Sequence, residues 1–399
     1  MRRSFFILLL LTFECTVFAQ GKKEIVIGKA DSLYSSVLHE TRKIWVYNPS
    51  NEIHDDKRYP VVYLLDGDSH FHSVTGIVHQ LTSVNGNYLF PQMIVVGILN
   101  TDRTRDLTPT HSLTGPDGKR SASSNSSGGA ENFTRFLETE LFPYVETNYP
   151  TQPHRMLVGH SFGGLFAVNT LISHPTLFDA YVSIDPSIWW DHSEILERIK
   201  NVTRSPGLKK RSLFLAIANT MPAGMDTLAV VKDTTGSTSH IRSILKLAKF
   251  LDSTAVDLNF VWKYYDDDGH SSVALIAEYD AFRSLYDFFS LPIDLTVVTA
   301  FGLRSHYQQI TERMNFMCLP PRPLVSALGG YHLDRKDFVQ AREFFRMNVE
   351  NYPKDPEANE DMGDYFAAIG QKNDARRWYL NAVGLNATSG ARSKLEKLK

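Results

Sequence analysis

The chain has 399 residues, a formal net charge of −2 and 43% hydrophobic residues, which is typical of a globular protein with room for more than one domain. The 42 Lys and Arg residues are balanced by 44 Asp and Glu residues, and no basic patch is interleaved with aromatic residues. This balance argues against nucleic acid as a partner. The apolar run Phe5–Phe13 is too short to span a membrane.

The N-terminus has the pattern of a secretory signal peptide, which we place at residues 1–19. Arg2 and Arg3 precede the apolar run, and Ala19 is a small residue at the expected cleavage position. After cleavage Cys318 is the one remaining cysteine, so no intramolecular disulfide can form. We therefore expect an exported bacterial protein, periplasmic or secreted.

Residues 22–295 alternate between predicted strands and helices, which indicates an α/β fold with a mainly parallel sheet covered on both faces. Alternating or continuous apolar runs predict the strands Glu24–Ile27, Arg42–Tyr47, Val61–Leu65, Gln92–Leu99, Met156–Val158, Ala180–Ile184, Leu213–Ala218 and Leu258–Tyr264. Helical spacing predicts the helices Glu131–Tyr149, Ser239–Leu251 and Ser272–Phe289, with a further helix after Gly164. In such sheets reactive groups gather at the carboxyl ends of the strands.

The segment after Val158 reads Gly-His-Ser-Phe-Gly-Gly, with Ser161 at its centre. Gly-x-Ser-x-Gly between a strand and a helix is the pattern of a nucleophile elbow. Side chains at Gly159 or Gly163 are expected to collide with the neighbouring strand or helix. The turn lifts the Ser161 hydroxyl clear of the sheet and aims the Phe162 amide at the place where an oxyanion would form. We predict Ser161 as the nucleophile and Phe162 as one oxyanion donor.

A serine nucleophile needs a base and an orienting acid, and in this architecture the chain order is Ser, acid, His. His270 follows the last long strand in a glycine-containing turn, and we predict it as the base. The acid should follow the strand Leu213–Ala218, where Asp226 is the first carboxylate and our preferred candidate, with Asp233 close behind. Asp185, at the end of the preceding strand, is the competing candidate, and a Ser–His dyad is a further alternative.

The second oxyanion donor should come from the turn after Val61–Leu65, where the Asp68 amide can point inward. Asp66, Asp68, His70 and His72 in the same stretch also resemble metal ligands. Because that turn already has the oxyanion role, we predict neither a metal nor a cofactor.

The stretch from Thr101 to Ala130 has no periodicity and follows the carboxyl end of a strand, so it can overhang the serine. Its first half carries Arg103, Arg105 and Asp106. We expect this half to face the substrate, with Arg105 binding an anionic or catecholic group.

A proline-rich linker is predicted at 296–322, followed by helical repeats at 323–392. Small and aromatic residues recur 34 positions apart, which is the tetratricopeptide period. The matching positions are Gly329, Tyr331, Ala341 and Phe345 with Gly363, Tyr365, Ala375 and Tyr379. Two repeats are too few for an independent solenoid, so we expect the module to pack against the hydrolase domain or another copy, or to bind a protein partner.

Together these motifs resemble the putative-esterase family of the α/β-hydrolases, which includes esterase D, feruloyl esterases, mycolyltransferases and ferri-siderophore esterases. The motifs that carry the resemblance are Tyr63–Asp68, Arg105–Pro109, Gly159–Gly164, Asp185–Trp190 and Gly269–Val273. The resemblance covers about residues 24 to 292. The chain departs from the family pattern after the Leu213 strand, where the usual Gly-x-x-Glu is missing.

The resemblance implies a serine carboxylic-ester hydrolase that acts through an acyl-enzyme on a small-molecule ester. It also implies that Trp189 and Trp190 help line the pocket, although one of them could equally be a core aromatic residue. Two alternatives stay open at this stage. One is a non-catalytic interaction protein that uses the repeats, and the other is an acyltransferase of the same fold.

Overall fold

The structure is a computed structural model, and it describes residues 24–49, 57–84, 87–115, 119–120, 124–201, 206–255, 257–291 and 297–398. The predicted signal peptide at 1–19 lies outside these residues. Within the described ranges, no helix is both long and apolar enough to cross a membrane.

One eight-stranded sheet runs through the molecule in the order β1-β2-β4-β3-β5-β6-β7-β8. β1 pairs with β2 and β2 with β4 in antiparallel fashion, and the remaining neighbours are parallel. This arrangement confirms the predicted mainly parallel α/β-hydrolase sheet. The strands are β1 (Lys29–Ser35), β2 (Glu40–Tyr47), β3 (Tyr59–Leu64), β4 (Ile94–Ile98), β5 (Thr151–His160), β6 (Ala180–Ile184), β7 (Arg211–Ala218) and β8 (Leu258–Tyr265).

Helices cover both faces of the sheet, because the side chains of each central strand alternate between two apolar layers. In β3, for example, Val61 and Tyr63 belong to one buried cluster, and Val62 and Leu64 to the other. The helices are α1 (Gly67–Thr82), α2 (Arg103–Leu107), α3 (Ala130–Phe136), α4 (Phe142–Asn148), α5 (Phe162–Ser173), α6 (Trp190–Lys200), α7 (Thr227–Lys232), α8 (Ser239–Thr254) and α9 (Val273–Leu285). A π-helical turn, Leu137–Leu141, joins α3 to α4.

Two elements near the start of the domain differ from the sequence-based prediction. The first strand begins at Lys29, which pairs with Val46 near the end of β2, so the predicted strand Glu24–Ile27 would run past the end of its partner. Helix α1 was not predicted. It buries Phe71, Val74 and Val78 at helical spacing, and its N-terminus lies directly after β3.

The predicted linker 296–322 is largely helical. Helix α10 (Ala300–Met314) buries Leu303, Tyr307 and Ile310 in the same apolar cluster as the α1 and α9 face of the sheet. This segment therefore extends the hydrolase core. The remaining helices are α11 (Arg322–Asp334), α12 (Phe338–Asn351), α13 (Pro356–Ala368), α14 (Lys372–Leu385) and α15 (Ala391–Lys397).

The 34-residue sequence period corresponds to two helix pairs with the same internal contact. In the first pair, a Cβ added at Gly329 would lie 2.4 Å from the Phe345 ring. In the second pair, a Cβ at Gly363 would lie 2.4 Å from the Tyr379 ring. Glycine thus lets the paired helices approach until the aromatic ring touches the opposite backbone. The assignment of these pairs to the tetratricopeptide family stays a prediction.

We expect Gly329→Ala to destabilise the protein by about 1–3 kcal/mol, because the added methyl group must displace a buried ring. Gly330 on the same helix is the matched control, since nothing lies within 4 Å of a Cβ there. Alanine at that position should stabilise by about 0.5–1 kcal/mol through its higher helix propensity. Urea unfolding of the full chain measures both values, and equal effects of the two substitutions would contradict the contact.

Candidate active site

The predicted nucleophile elbow is a tight turn between β5 and α5. Ser161 at its tip has φ 59° and ψ −113°, a conformation that non-glycine residues rarely adopt. A Cβ at Gly159 would lie 2.4 Å from the Gly163 carbonyl group, so a larger residue does not fit. Gly163 itself is less crowded than predicted, with its neighbours at 3.4 Å or more from an added Cβ. The tighter position is Gly164, where the Ile184 carbonyl oxygen would lie 3.0 Å away.

Three side chains from different strand ends meet beside this turn. His270 Nε2 lies 3.2 Å from Ser161 Oγ, and His270 Nδ1 donates to Asp185 Oδ2 at 2.5 Å. Ser161 follows β5, Asp185 follows β6, and His270 follows β8, so parallel strands deliver all three to one edge of the sheet. The Asp185 carboxylate is fully buried, whereas the His270 side chain is 39% exposed. This is the geometry of a serine–histidine–acid triad open to solvent on the histidine side.

The structure does not bring the preferred acid, Asp226, to His270. Asp226 is exposed and caps α7, where its Oδ1 accepts a hydrogen bond from the Ala229 amide at 2.7 Å. Asp233 accepts hydrogen bonds from Thr235 and Thr238 in the turn before α8. Asp185, the competing candidate, is the carboxylate that reaches the histidine.

Asp185 also has a partner that the sequence did not indicate. His240 Nε2 donates to Asp185 Oδ2 at 2.8 Å, and the Ala218 amide donates to Oδ1 at 3.0 Å. Burial alone would raise the pKa of Asp185, but the hydrogen bonds from His240, His270 and Ala218 outweigh it and hold this pKa well below its ordinary value. The carboxylate is therefore ionised at neutral pH.

The two predicted oxyanion donors lie in the first turns of two helices. Phe162 is the first residue of α5 and Asp68 the second residue of α1, and neither helix has a side-chain cap at its N-terminus. Amides in these positions have no acceptor within their own helix and carry the positive end of the helix dipole. They are therefore suited to receive a developing negative charge.

Arg103 ties these two helix starts together. Its Nε and Nη2 donate to the two oxygens of Asp66 at 2.6 and 2.9 Å, and Nη2 also donates to the His160 carbonyl oxygen at 3.1 Å. Its guanidinium lies 5.4 Å from the centre of the Phe162 ring. Asp66 precedes α1 with a left-handed φ of 52°, and Asn100 binds it from the end of β4 at 2.7 Å. The turn that carries the Asp68 amide is thus fixed against the elbow.

Arg105, which was predicted to bind the substrate, forms ion pairs with other residues of the protein. Its Nη2 donates to Glu40 Oε1 at 2.7 Å and its Nε to Asp106 Oδ1 at 2.7 Å. Arg42, which is fully buried, donates to both carboxylates as well. To bind an anionic substrate, Arg105 would have to leave two ion pairs, so its contacts favour a structural role.

The two tryptophans of the Asp185–Trp190 segment differ in environment. Trp190 is buried, packs edge-on against Phe162 and donates its Nε1 hydrogen to the Thr110 carbonyl oxygen at 3.2 Å. It therefore anchors the loop that follows α2 and takes the core role. Trp189 is partly exposed, with its ring 6.1 Å from that of Phe162, and it is the one available to a substrate.

A second group of polar side chains lies behind His270. His160 Nε2 donates to the His270 carbonyl oxygen at 2.8 Å and fixes the histidine turn. Burial, together with His270 and His70, lowers the pKa of His160 to about 4, so its ring is neutral. His70 lies edge-on to His160, and its Nδ1 is 3.3 Å from Glu278 Oε1. Burial raises the pKa of Glu278 to about 8, although Ser73 donates to its carboxyl group.

The raised pKa of Glu278 predicts a loss of stability at higher pH. Between its ordinary value of 4.5 and about 8, the folded protein binds one proton more than the unfolded chain, so the free energy of unfolding falls as pH rises. In Glu278→Gln, which mimics the protonated group, the decrease from about pH 5 to about pH 8 should be smaller by about 2 kcal/mol or more. Urea unfolding at several pH values measures it, and parallel curves for the two proteins would contradict the assignment.

Asp185, His240 and His270 are also, among the described residues, a group whose ligand-type atoms lie within 4.8 Å of one another. The Nδ1–Oδ2 and Nε2–Oδ2 separations of 2.5 and 2.8 Å are those of hydrogen bonds. Two ligands of one zinc ion, each about 2.0–2.2 Å from the metal in tetrahedral geometry, lie more than 3 Å apart. The separations are therefore those of hydrogen bonds, and they are too short for two ligands of one metal ion. In the stretch whose sequence resembles metal ligands, the Asp66 carboxylate accepts hydrogen bonds from Arg103 and Asn100.

Known proteins similar to this chain are described as esterases or serine hydrolases. The profile of the family described as "Putative esterase" matches residues 35–227, a range that includes Ser161 and Asp185. An IroE-like serine hydrolase from Shewanella oneidensis has a crystal structure that superposes with a TM-score of 0.70 and 31% sequence identity, over 81% of this chain and 99% of that chain. The chain belongs to the putative-esterase family.

Two curated relatives resemble a part of this chain. The ferri-bacillibactin esterase BesA of Bacillus subtilis is 35% identical over 150 residues, which are 35% of this chain and 52% of that protein. The siderophore enterobactin esterase of Emericella nidulans is 36% identical over 148 residues, which are 34% of this chain and 48% of that protein. The chain thus spans about half the length of these relatives.

Proposed function

We propose that the esterase hydrolyses carboxylic esters through an acyl-enzyme on Ser161, with His270 as the base and Asp185 as the orienting acid. The observation that carries the proposal is the chain of contacts from Ser161 Oγ to His270 Nε2 and from His270 Nδ1 to Asp185 Oδ2. Asp185 replaces the acid first favoured from the sequence, because Asp226 caps a helix instead.

In the first half-reaction, Ser161 Oγ attacks the ester carbonyl carbon while His270 Nε2 takes the hydroxyl proton. The carbonyl oxygen becomes an oxyanion, for which we propose the Phe162 and Asp68 amides as donors. The bond to the leaving oxygen then breaks, and His270 returns its proton to the departing alcohol. Water, activated by the same imidazole, attacks the acyl-enzyme and releases the acid.

Esters of siderophores are the first substrate class to test, because the two curated relatives are named for a ferri-siderophore and a siderophore. The pairing of Arg105 with Glu40 and Asp106 gives no support to an anion-binding role for this arginine. Trp189 offers an aromatic surface next to the elbow, which suits an aryl or acyl group equally.

The test is a panel assayed with the purified protein lacking residues 1–19, comprising p-nitrophenyl acetate and butyrate, methyl ferulate, and enterobactin with and without Fe³⁺. Hydrolysis of the small esters supports the chemistry, and preference for enterobactin supports the siderophore class. Failure to hydrolyse any ester would reject hydrolysis. Product analysis with added alcohols distinguishes hydrolysis from acyl transfer to an acceptor other than water.

Export and partner binding through the C-terminal helices are also proposals. The composition of residues 1–19 supports export, and amino-terminal sequencing of the protein recovered from the producing cell tests it. Binding through α11–α15 is supported by the repeated helix pairs alone. The contacts among Ser161, His270 and Asp185 argue against a purely non-catalytic role.

A further inference from the structure

The acid of the triad is shared by two imidazoles. His240 Nε2 and His270 Nδ1 both approach Asp185 Oδ2, at 2.8 and 2.5 Å, and the two rings stand nearly perpendicular with their centres 5.2 Å apart. The Ala218 amide occupies the other oxygen, Oδ1, at 3.0 Å. An ionised carboxylate only accepts hydrogen bonds, so each nitrogen that faces it carries a hydrogen.

These hydrogen bonds define the orientation of the carboxylate. The terminal torsion of an aspartate side chain is broad, and one donor leaves the group free to rock. With Ala218 on Oδ1 and His240 on Oδ2, rotation would break at least one bond in a fully buried location. The remaining lone pair of Oδ2 then points at His270 Nδ1.

His240 is itself held rigidly. It is the second residue of α8, whose apolar face buries Ile241 and Ile244 in the core. The turn before this helix is tied by Asp233 Oδ2, which accepts the hydroxyl hydrogens of Thr235 and Thr238, both at 2.5 Å. Asp233, an alternative acid in the sequence analysis, therefore supports the helix that presents His240.

We propose that His240 is a positioning residue of the catalytic centre, which holds the Asp185 carboxylate in the orientation that His270 requires. The inference rests on the proposed function, because it concerns the same triad. His240 acts on the reaction through Asp185. Its loss should therefore slow the chemical step and leave the binding of a small ester nearly unchanged.

The test compares His240→Phe, which keeps the ring and removes the donor, with His240→Gln, whose side-chain N–H can replace Nε2–H. For p-nitrophenyl acetate we expect His240→Phe to lower kcat about 10- to 100-fold with KM within about twofold, as for other partners that orient a catalytic histidine. His240→Gln should stay within about threefold of the wild type. Thermal unfolding of both variants checks that the fold is retained.

Two readouts separate this inference from the proposed function. The rate of fluorophosphonate labelling of Ser161 should fall in His240→Phe and recover in His240→Gln. The far-downfield proton resonance of the His270 Nδ1–H···Asp185 hydrogen bond, which needs no turnover, should be present in the wild type and in His240→Gln and be shifted or lost in His240→Phe. A folded His240→Phe protein with wild-type kcat and an unchanged resonance would overturn the proposal. Equal losses in the Phe and Gln variants would also overturn it, because they would indicate packing alone. A wild-type protein that shows the resonance and is not labelled would reject the proposed hydrolysis and retain the positioning role.

Discussion

Ser161→Ala is expected to lower kcat for a small chromogenic ester by roughly a million-fold, because the acyl-enzyme cannot form without the serine oxygen. The side chain is only partly buried and has two polar contacts, with His270 at 3.2 Å and Ser187 at 3.4 Å, so removing its oxygen should leave the fold intact. Initial rates at saturating ester, together with the thermal midpoint, measure the effect.

Ser271→Ala is the matched control for this prediction. Ser271 follows His270 on the same rim and is exposed. Its replacement should leave kcat within about threefold, because its side chain is exposed and surface substitutions usually change free energies by no more than about 0.5 kcal/mol. Activity that survives in Ser161→Ala would assign the nucleophile elsewhere.

Asp185→Asn is expected to lower kcat about ten-thousand-fold. The amide can present an N–H to His270 Nδ1, which favours the tautomer with the hydrogen on Nε2, so the base can no longer accept the serine proton. Asn also cannot accept strong hydrogen bonds from both His240 and His270 in the fully buried position. The measurement is kcat for the same small ester with protein whose thermal unfolding is cooperative.

The comparison that decides the identity of the acid is Asp226→Asn. Asparagine caps a helix about as well as aspartate, because its Oδ1 can still accept from the Ala229 amide, so this substitution should change stability by less than about 0.5 kcal/mol and leave kcat within about threefold. The reverse pattern, with Asp226→Asn inactive and Asp185→Asn active, would show that Asp226 is the acid, as first favoured from the sequence.

The parts of the site that sequence reasoning found are those encoded locally. Ser161 stands between a strand and a helix within a run of six residues, and His270 within a short turn after the last long strand. The order of these residues along the chain then assigns their catalytic roles, because the parallel strands that precede them end at one edge of the sheet. Trp189 and Trp190 were found by resemblance, but their division into a partly exposed and a buried ring depends on three-dimensional packing.

The acid and its second partner depend on contacts between distant residues. Asp185 and Asp226 both follow strands, and only the left-handed turn at Asp185, with φ 38°, directs its carboxylate towards His270. His240 lies 55 residues further along the chain than Asp185, with no motif around it. The sequence did contain one signal for His240: helix α8 is amphipathic, and it begins at the edge of the sheet where the parallel strands end.

The other differences in fold have similar causes. The α1 sequence contains the helical spacing of Phe71, Val74 and Val78, but the polar residues at its start are equally compatible with a turn that carries an oxyanion donor or metal ligands. Helix α10 lies in a segment that its prolines marked as a linker. Its burial depends on the apolar face of the sheet that α1 and α9 leave open to it.

The most direct test of the central claim is the site of covalent labelling. The protein is treated with a fluorophosphonate, in which attack by a serine oxygen forms a bond to phosphorus and expels fluoride. The account predicts a single adduct on the peptide that contains Ser161, absent in Ser161→Ala and strongly slowed in Asp185→Asn. A folded wild-type protein that is not labelled, or that is labelled at another residue, would contradict it.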